Sequence, residues 1–252
     1  MKINRIFFDL DDTCNELTLH ALEAFGCNIK PHEHDKYKPR WGYDILKAAK
    51  ELYPWIVDQV TPMEFWSTFD CDFWSRLPES KEFSELLEVA EDIVGLENVL
   101  ILTSPIHSNK PMFSMDNSER EEWRRITGEC MAGKYTWITK HFPAQLHTQF
   151  AMCPIKRLCV APDTLLIDDS GKNVNEFRAA GGQAILMPRP WNSMHNPTLP
   201  PIECVYRRLA EILLARPING SGLRPSGDFW NFGRTQKKRT GGPLSGQLEF
   251  GL

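Results

Sequence analysis

The sequence has no apolar run approaching the ~18 residues that a membrane-spanning helix needs, so no transmembrane segment is expected. No secretory leader is expected either: Asp9, Asp11 and Asp12 fall where an apolar leader core would continue. No C-x-x-C pair occurs among the seven cysteines Cys14, Cys27, Cys71, Cys130, Cys153, Cys159 and Cys204. Their odd number and scatter exclude a disulfide scaffold and a zinc ribbon, and predict free thiols in a reducing cytoplasm. There is no marked excess of either charge. A formal net charge of -4 gives no global case for nucleic acid or an anionic membrane as partner. No internal repeat is present, which excludes a solenoid.

What remains is a chain of 252 residues, 42% of them hydrophobic, enough for one good core and a smaller subdomain. Residues 4–9 read as a buried strand running straight into acid, and 17–26 as a short helix closed by Gly26. Residues 80–95 put Phe83, Leu86, Leu87, Ala90, Ile93 and Val94 on one helical face. Further strands are expected at 98–103, 148–152, 164–168 and 183–187, and further helices at 132–142, 171–180 and 201–215. The stretch 105–131 is polar and reads as irregular. Strands alternating with helices imply an α/β fold with a doubly wound parallel sheet. Residues 27–78 differ in texture. They are dense in Trp, Tyr, Phe, Pro and His, including Trp41, Tyr43, Trp55, Phe65, Trp66, Phe69, Phe73 and Trp74, and read as a small, mostly helical insertion. The expected division is a core of 1–16 with 79–216, an inserted segment 17–78, and a Gly-rich flexible tail 217–252 carrying the basic run Lys237-Lys238-Arg239.

Three chemical features each come after an apolar strand: Asp9-Leu10-Asp11-Asp12-Thr13, Thr103-Ser104 and Asp168-Asp169-Ser170. In a parallel sheet the strand C-termini lie along one edge, where ligands bind, so the three segments are expected to converge. Asp9 and Asp11 are two apart and project to the same side. Carboxylates gathered in one pocket repel unless a cation sits among them or some are protonated. Oxygen ligation without Cys or His favours a hard ion, and Mg2+ is the natural choice. Read alone, the first motif is equally a surface turn or helix cap; three such segments together weigh against that. Cys14, beside the acids but with no basic or His neighbour in sequence, reads as structural.

These residues resemble the haloacid dehalogenase-like (HAD) phosphohydrolase superfamily over about residues 4–190. The motif D-x-D-x-T is matched by FDLDDT, the hydroxyl motif by Thr103 at the end of ILT, and the distal acid pair by IDDS. The resemblance implies Asp9 as a nucleophile toward phosphorus and Asp11 as general acid and base. It implies Mg2+ held by the Asp9 carboxylate, the Asp11 backbone carbonyl and Asp169, with Asp168 close behind, and Thr103 bonded to a phosphoryl oxygen. The superfamily's lysine would be Lys156, with Lys134 and Lys140 as rivals. The inserted segment would be a cap over the site. The runs DFWSRLP, ILTSPI, GKYTWITKHF and LLIDD are further similar to the 5'(3')-deoxyribonucleotidases, cytosolic and mitochondrial, and their phage relatives. This closer likeness implies Phe73 and Trp74 at the base of the substrate, and Thr103, Ser104 and Lys134 at the phosphate. It implies a nucleoside monophosphate as partner, no membrane, and room for a homodimer; nucleic acid enters only through the basic run. The chain departs from that family in having Asp12-Thr13 after Asp11, a longer segment 107–130, and a tail without counterpart. A sugar phosphatase, a nucleic-acid 3'-phosphatase and a binding protein on a retired phosphatase fold are the competing readings.

Overall fold

The computed structural model describes residues 2–53, 59–196 and 198–214. Trp55 and the whole tail expected at 217–252, basic run included, lie outside the described residues.

Five short apolar runs form the strands: β1 (Arg5–Phe8), β2 (Val99–Thr103), β3 (Phe150–Met152), β4 (Thr164–Asp168) and β5 (Gln183–Leu186). They make one sheet in the order β3-β2-β1-β4-β5, with every pairing parallel. This is the doubly wound α/β sheet expected from the sequence. Side chains alternate between its faces. Ile6, Phe8, Ile101, Leu165, Ile167 and Ile185 join the main core on one face. Phe7, Leu102, Leu166 and Ala184 meet Val174 and Phe177 on the other. Burial on both faces is why these strands read as continuous hydrophobic runs.

The chain steps outward from β1 through β2 to β3, then returns to β4 and β5 on the other side. The direction reverses at β1, and it is at such a reversal, outside the carboxyl ends of the strands, that open α/β sheets bind ligands. Register fixes the depth: Phe8 lies opposite Ile101 and Ile167, so Asp9 comes next at the level of the β2 and β4 ends.

Between β1 and β2 the described residues form helices and tight turns: α1 (Leu17–Ala24), α2 (Ile45–Leu52), α3 (Pro62–Ser67), α4 (Cys71–Ser75) and α5 (Phe83–Val94). Several begin at side-chain caps. Asp44 accepts from Lys47 N, Asp70 accepts from Phe73 N, and Thr61 with Glu64 closes a capping box. Segment 17–78 leaves and returns at one point. Asn15 bridges Glu79, Glu16 N donates to Pro78 O at 2.9 Å, and Ser80 Oγ donates to Thr13 O at 2.8 Å. Beyond β2 come α6 (Asn117–His141), α7 (Gly171–Ala179) and α8 (Pro201–Leu214). Among the described residues, no helix is long and apolar enough to cross a membrane.

One expectation needs correcting. The helix expected at 132–142, after an irregular 105–131, is a single 25-residue helix that begins at Asn117. Asp116 caps it, accepting from Glu119 N at 2.8 Å. Its first half carries only a narrow buried stripe, Trp123, Ile126 and Cys130, with ion pairs such as Arg125–Glu122 at 2.7 Å on its outer surface. A stripe that thin leaves the segment polar nearly all round, which hid the helical period. Trp123 and Ile126 pack with Met115 against Met63 and Trp66 of α3, so the long 107–130 segment buttresses the inserted helices.

Further along α6, Gly133 lets α4 approach closely. A Cβ there would fall 2.3 Å from Trp74 Cβ and 2.6 Å from Cys71 O. A backbone carbonyl cannot rotate away as a side chain can. Gly133→Ala is therefore expected to cost about 3 kcal/mol, roughly 10 °C in unfolding midpoint by calorimetry. An unchanged midpoint would mean that α4 is free to shift.

Candidate active site

Asp9 comes directly after β1, and its amide donates to Ile167 O at 2.9 Å, tying it to β4. Its Oδ1 accepts from Leu10 N at 2.7 Å and lies 2.6 Å from Lys156 Nζ. Lys156 stands on a short turn after β3 and also reaches Asp168 Oδ2 at 2.7 Å. One buried ammonium thus bridges the acids that end β1 and β4.

Asp168 has protein donors on both oxygens. Its Oδ1 accepts from Ser170 N at 2.8 Å, and Asn173 Nδ2 adds a bond to Oδ2 at 3.1 Å. Asp169 differs: Oδ2 accepts from Trp191 Nε1 at 2.6 Å, while Oδ1 is buried without a partner. Asp11 pairs with the fully buried Lys134 of α6 and accepts from Asn15 Nδ2 at 3.4 Å. Lys134 Nζ also donates to Thr103 Oγ1 at 3.1 Å and to the Ser104 carbonyl, which brings the β2 end to the same place. The Ser104 hydroxyl is turned away, donating to Cys153 O at 3.0 Å. Lys140, the other rival lysine, is exposed on α6.

Phe73 and Trp74 are already in company. Phe73 stacks on Phe69 at 4.2 Å and on His20 at 5.3 Å; Trp74 is buried, stacks on Trp66 at 6.1 Å and has Lys134 Nζ 5.5 Å from its ring centroid. Cys14 is a buried thiol donating to Asp9 O at 3.1 Å, and burial raises its pKa, so it is no nucleophile.

The electrostatics come from five buried carboxylates, Asp9, Asp11, Asp12, Asp168 and Asp169, facing two buried lysines. Burial pushes the Asp9 carboxyl up to about 7; Lys156 pulls it back, and Asp168 and Asp11 push it further. Asp12 rises to about 8 by burial, against hydrogen bonds from Thr18. Burial, then Asp12, Asp168 and Asp9, hold Asp169 well above the carboxylate range despite the Trp191 bond. Burial works against the charge on Lys156, but Asp168 and Asp9 outweigh it and raise its pKa. The excess of negative charge needs a cation or protons. One oxygen each from Asp9, Asp168 and Asp169 lie within 4.8 Å of one another, and Asp169 Oδ1 is an orphaned acceptor. An all-carboxylate set of this kind fits a hard divalent ion, and Mg2+ in particular.

Sequence reasoning missed several participants. Trp191 and Asn192 sit in the loop after β5, at the same sheet edge as the acids. Their only signal in the sequence is that position, since the loop beyond any strand end of a parallel sheet can reach the ligand edge. Arg189 Nε donates to Asp12 O at 2.6 Å and Arg189 Nη2 to Glu82 at 3.1 Å, fully buried. Asp12 takes the left-handed conformation (φ +55°), and its carboxylate accepts from Thr18 N and Oγ1 at 2.9 and 2.6 Å. Tyr43 is 53% exposed, yet its hydroxyl is enclosed: burial, then Asp169, Asp12, Asp11 and Asp9, drive its pKa well up. Its ring lies 6.2 Å from that of Trp191 between centroids. Only tertiary proximity marks it among its aromatic neighbours.

No family model matches the chain, and no curated protein matches it significantly. Solved structures do. A HAD family enzyme from Bacteroides thetaiotaomicron, in complex with magnesium and inorganic phosphate, is 13% identical (TM-score 0.34; 76% of this chain, 97% of that one). A hydrolase from Streptococcus pneumoniae is 14% identical (TM-score 0.40; 84% and 99%). A HAD family hydrolase from Deinococcus radiodurans, with bound phosphate and sodium, is 16% identical (TM-score 0.36; 84% and 97%). At such low scores and identities, these likenesses carry no argument about what this chain binds or does.

Proposed function

We propose that the chain is a Mg2+-dependent phosphomonoester hydrolase of the HAD type, working through a phospho-aspartate on Asp9, with a nucleoside monophosphate, preferentially a deoxyribonucleotide, as substrate. The observation that carries the reading is the buried Asp9–Lys156–Asp168 bridge beside the unpartnered Asp169 oxygen, at the point where the strand order reverses.

In this reading Asp9 Oδ2 attacks phosphorus, and the bond from phosphorus to the ester oxygen breaks. Asp11 gives the departing oxygen its proton. Water then attacks the phospho-aspartate, its proton passes to Asp11, and phosphate leaves with Asp9 restored. Lys156 holds Asp9 in place and offsets charge on the transferring group; Lys134 and Thr103 receive the phosphoryl oxygens. Asp9, Asp169, Asp168 and the Asp11 carbonyl would hold Mg2+, which when bound supplies the positive charge that lets an anionic phosphate enter an acidic pocket. Segment 17–78 acts as the cap. Tyr43, exposed on that segment, is the ring it offers to the base; Phe73 and Trp74 are packed against Phe69, His20 and Trp66. A cytoplasmic site of action accords with seven free thiols.

The test is phosphate release with Mg2+ across deoxy- and ribonucleoside 5'- and 3'-monophosphates, sugar phosphates and a 3'-phosphorylated oligonucleotide. Preference for a mononucleotide is expected, with activity abolished by EDTA and returned by Mg2+. Turnover of sugar phosphates or the oligonucleotide alone would retire the nucleotide assignment, and activity in excess chelator would retire the metal. No release from any of them would favour a binding protein on this fold.

A further inference from the structure

Trp191 is not among the groups that would touch the phosphate or the cation, yet it makes the shortest protein contact to the acid best suited to hold one. Its indole Nε1 donates to Asp169 Oδ2 at 2.6 Å, and both residues are buried. The neighbouring Asn192 Nδ2 bonds the Asp169 backbone carbonyl at 2.9 Å and the Met187 carbonyl at 2.7 Å, pinning the Asp169 backbone to the end of β5. A carboxyl group with one oxygen fixed by a hydrogen bond and its backbone fixed by an amide has little rotational freedom left. Its other oxygen is then aimed, and that oxygen is the buried one without a partner.

The indole is itself held by rings from the inserted segment. Tyr37 lies 5.1 Å from Trp191 between centroids, Tyr43 6.2 Å and His34 6.3 Å. These contacts exclude water from the Trp191–Asp169 bond and hold the indole in place.

We propose that Trp191 is the positioning residue that sets the affinity of the acidic site for Mg2+, by presenting Asp169 Oδ1 to the ion before the ion arrives. This rests on the reading of Asp9, Asp168 and Asp169 as the cation site. Groups that orient a metal ligand through a hydrogen bond typically alter metal affinity by roughly 10–100-fold when lost. Trp191 acts through Asp169 and touches no reacting atom, so its effect falls on Mg2+ affinity.

The experiment is calorimetric titration of the full chain with Mg2+ in the absence of substrate, for the natural protein, Trp191→Phe and Trp191→His. The phenyl ring keeps the stacking and loses the N–H; the imidazole keeps a ring N–H. The natural chain is expected to bind Mg2+, Trp191→Phe to bind it at least about 10-fold more weakly, and Trp191→His to recover part of the loss. Equal affinity of folded Trp191→Phe and natural protein overturns the role of Trp191 and leaves the metal site standing. Absence of Mg2+ binding by the natural chain overturns the metal site, and this inference with it. Should Trp191→Phe not fold, the indole N–H resonances of the natural chain, which has eight tryptophans, decide. A strongly downfield indole that moves on adding Mg2+ supports the proposal, and a set of indoles indifferent to Mg2+ overturns it.

Discussion

Asp9→Asn is expected to lower phosphate release by at least about 1,000-fold on every substrate the natural chain accepts, because an amide oxygen cannot form the phospho-aspartate. The fold should survive the change. The Asp9 carboxyl is raised to about 7 by burial, so its ionised form is a cost to the metal-free protein rather than a support. Lys156 keeps its second partner, Asp168, at 2.7 Å. The asparagine variant should therefore unfold no earlier than the natural chain at pH of about 8 without Mg2+, where the carboxyl would be charged. Single-turnover assays and calorimetry on the same preparation separate the two effects. Undiminished release would remove Asp9 from the role of nucleophile, and loss of folding would leave the activity change without mechanistic meaning.

The second large effect is expected at Lys156. Lys156→Met keeps the length of the side chain and deletes the ammonium 2.6 Å from Asp9 and 2.7 Å from Asp168. Breaking a buried ion network by removing one partner costs about 3–5 kcal/mol, since the remaining charges stay buried. Activity should collapse together with stability, and the loss should depend on pH. A carboxyl whose folded pKa lies above its unfolded value retains a proton that the unfolded chain releases, so stability falls as pH rises between the two values. For Asp9 in the natural, metal-free chain that window runs from its ordinary 3.8 to about 7. Without Lys156 the folded value lies higher still, so the fall should be larger in total and extend to more alkaline pH. Unfolding midpoints of both proteins between pH of about 5 and about 8 check this. A difference independent of pH would mean that Lys156 acts by packing alone.

Much of the fold was readable before any coordinates, because its strands are buried on both faces and its outer helices on one. Runs such as Ile6-Phe7-Phe8 and Leu100-Ile101-Leu102, and the stripe Phe83–Leu86–Ala90, leave period and length as unambiguous signals. The first half of α6 escaped because its few inward residues, Trp123, Ile126 and Cys130, give no such signal; its partners, Met63 and Trp66, come from far away in the chain.

The sequence alone determined that acids and a hydroxyl stand at strand ends: Asp9 and Asp11 after β1, Thr103 ending β2, Asp168 and Asp169 at the end of β4. It did so because a strand ending in acid is costly to bury and stands out from its surroundings. Only the tertiary structure decided how those groups divide the available donors. Lys156 bridges Asp9 and Asp168 while Lys134 serves Asp11, Thr103 and the Ser104 carbonyl. Trp191 takes one oxygen of Asp169 and leaves the other bare, and Tyr43 is exposed where Trp74 is buried. Partner choice among like groups depends on distances of a few ångströms between segments far apart in the chain, and that information exists only once the sheet has brought its strand ends together.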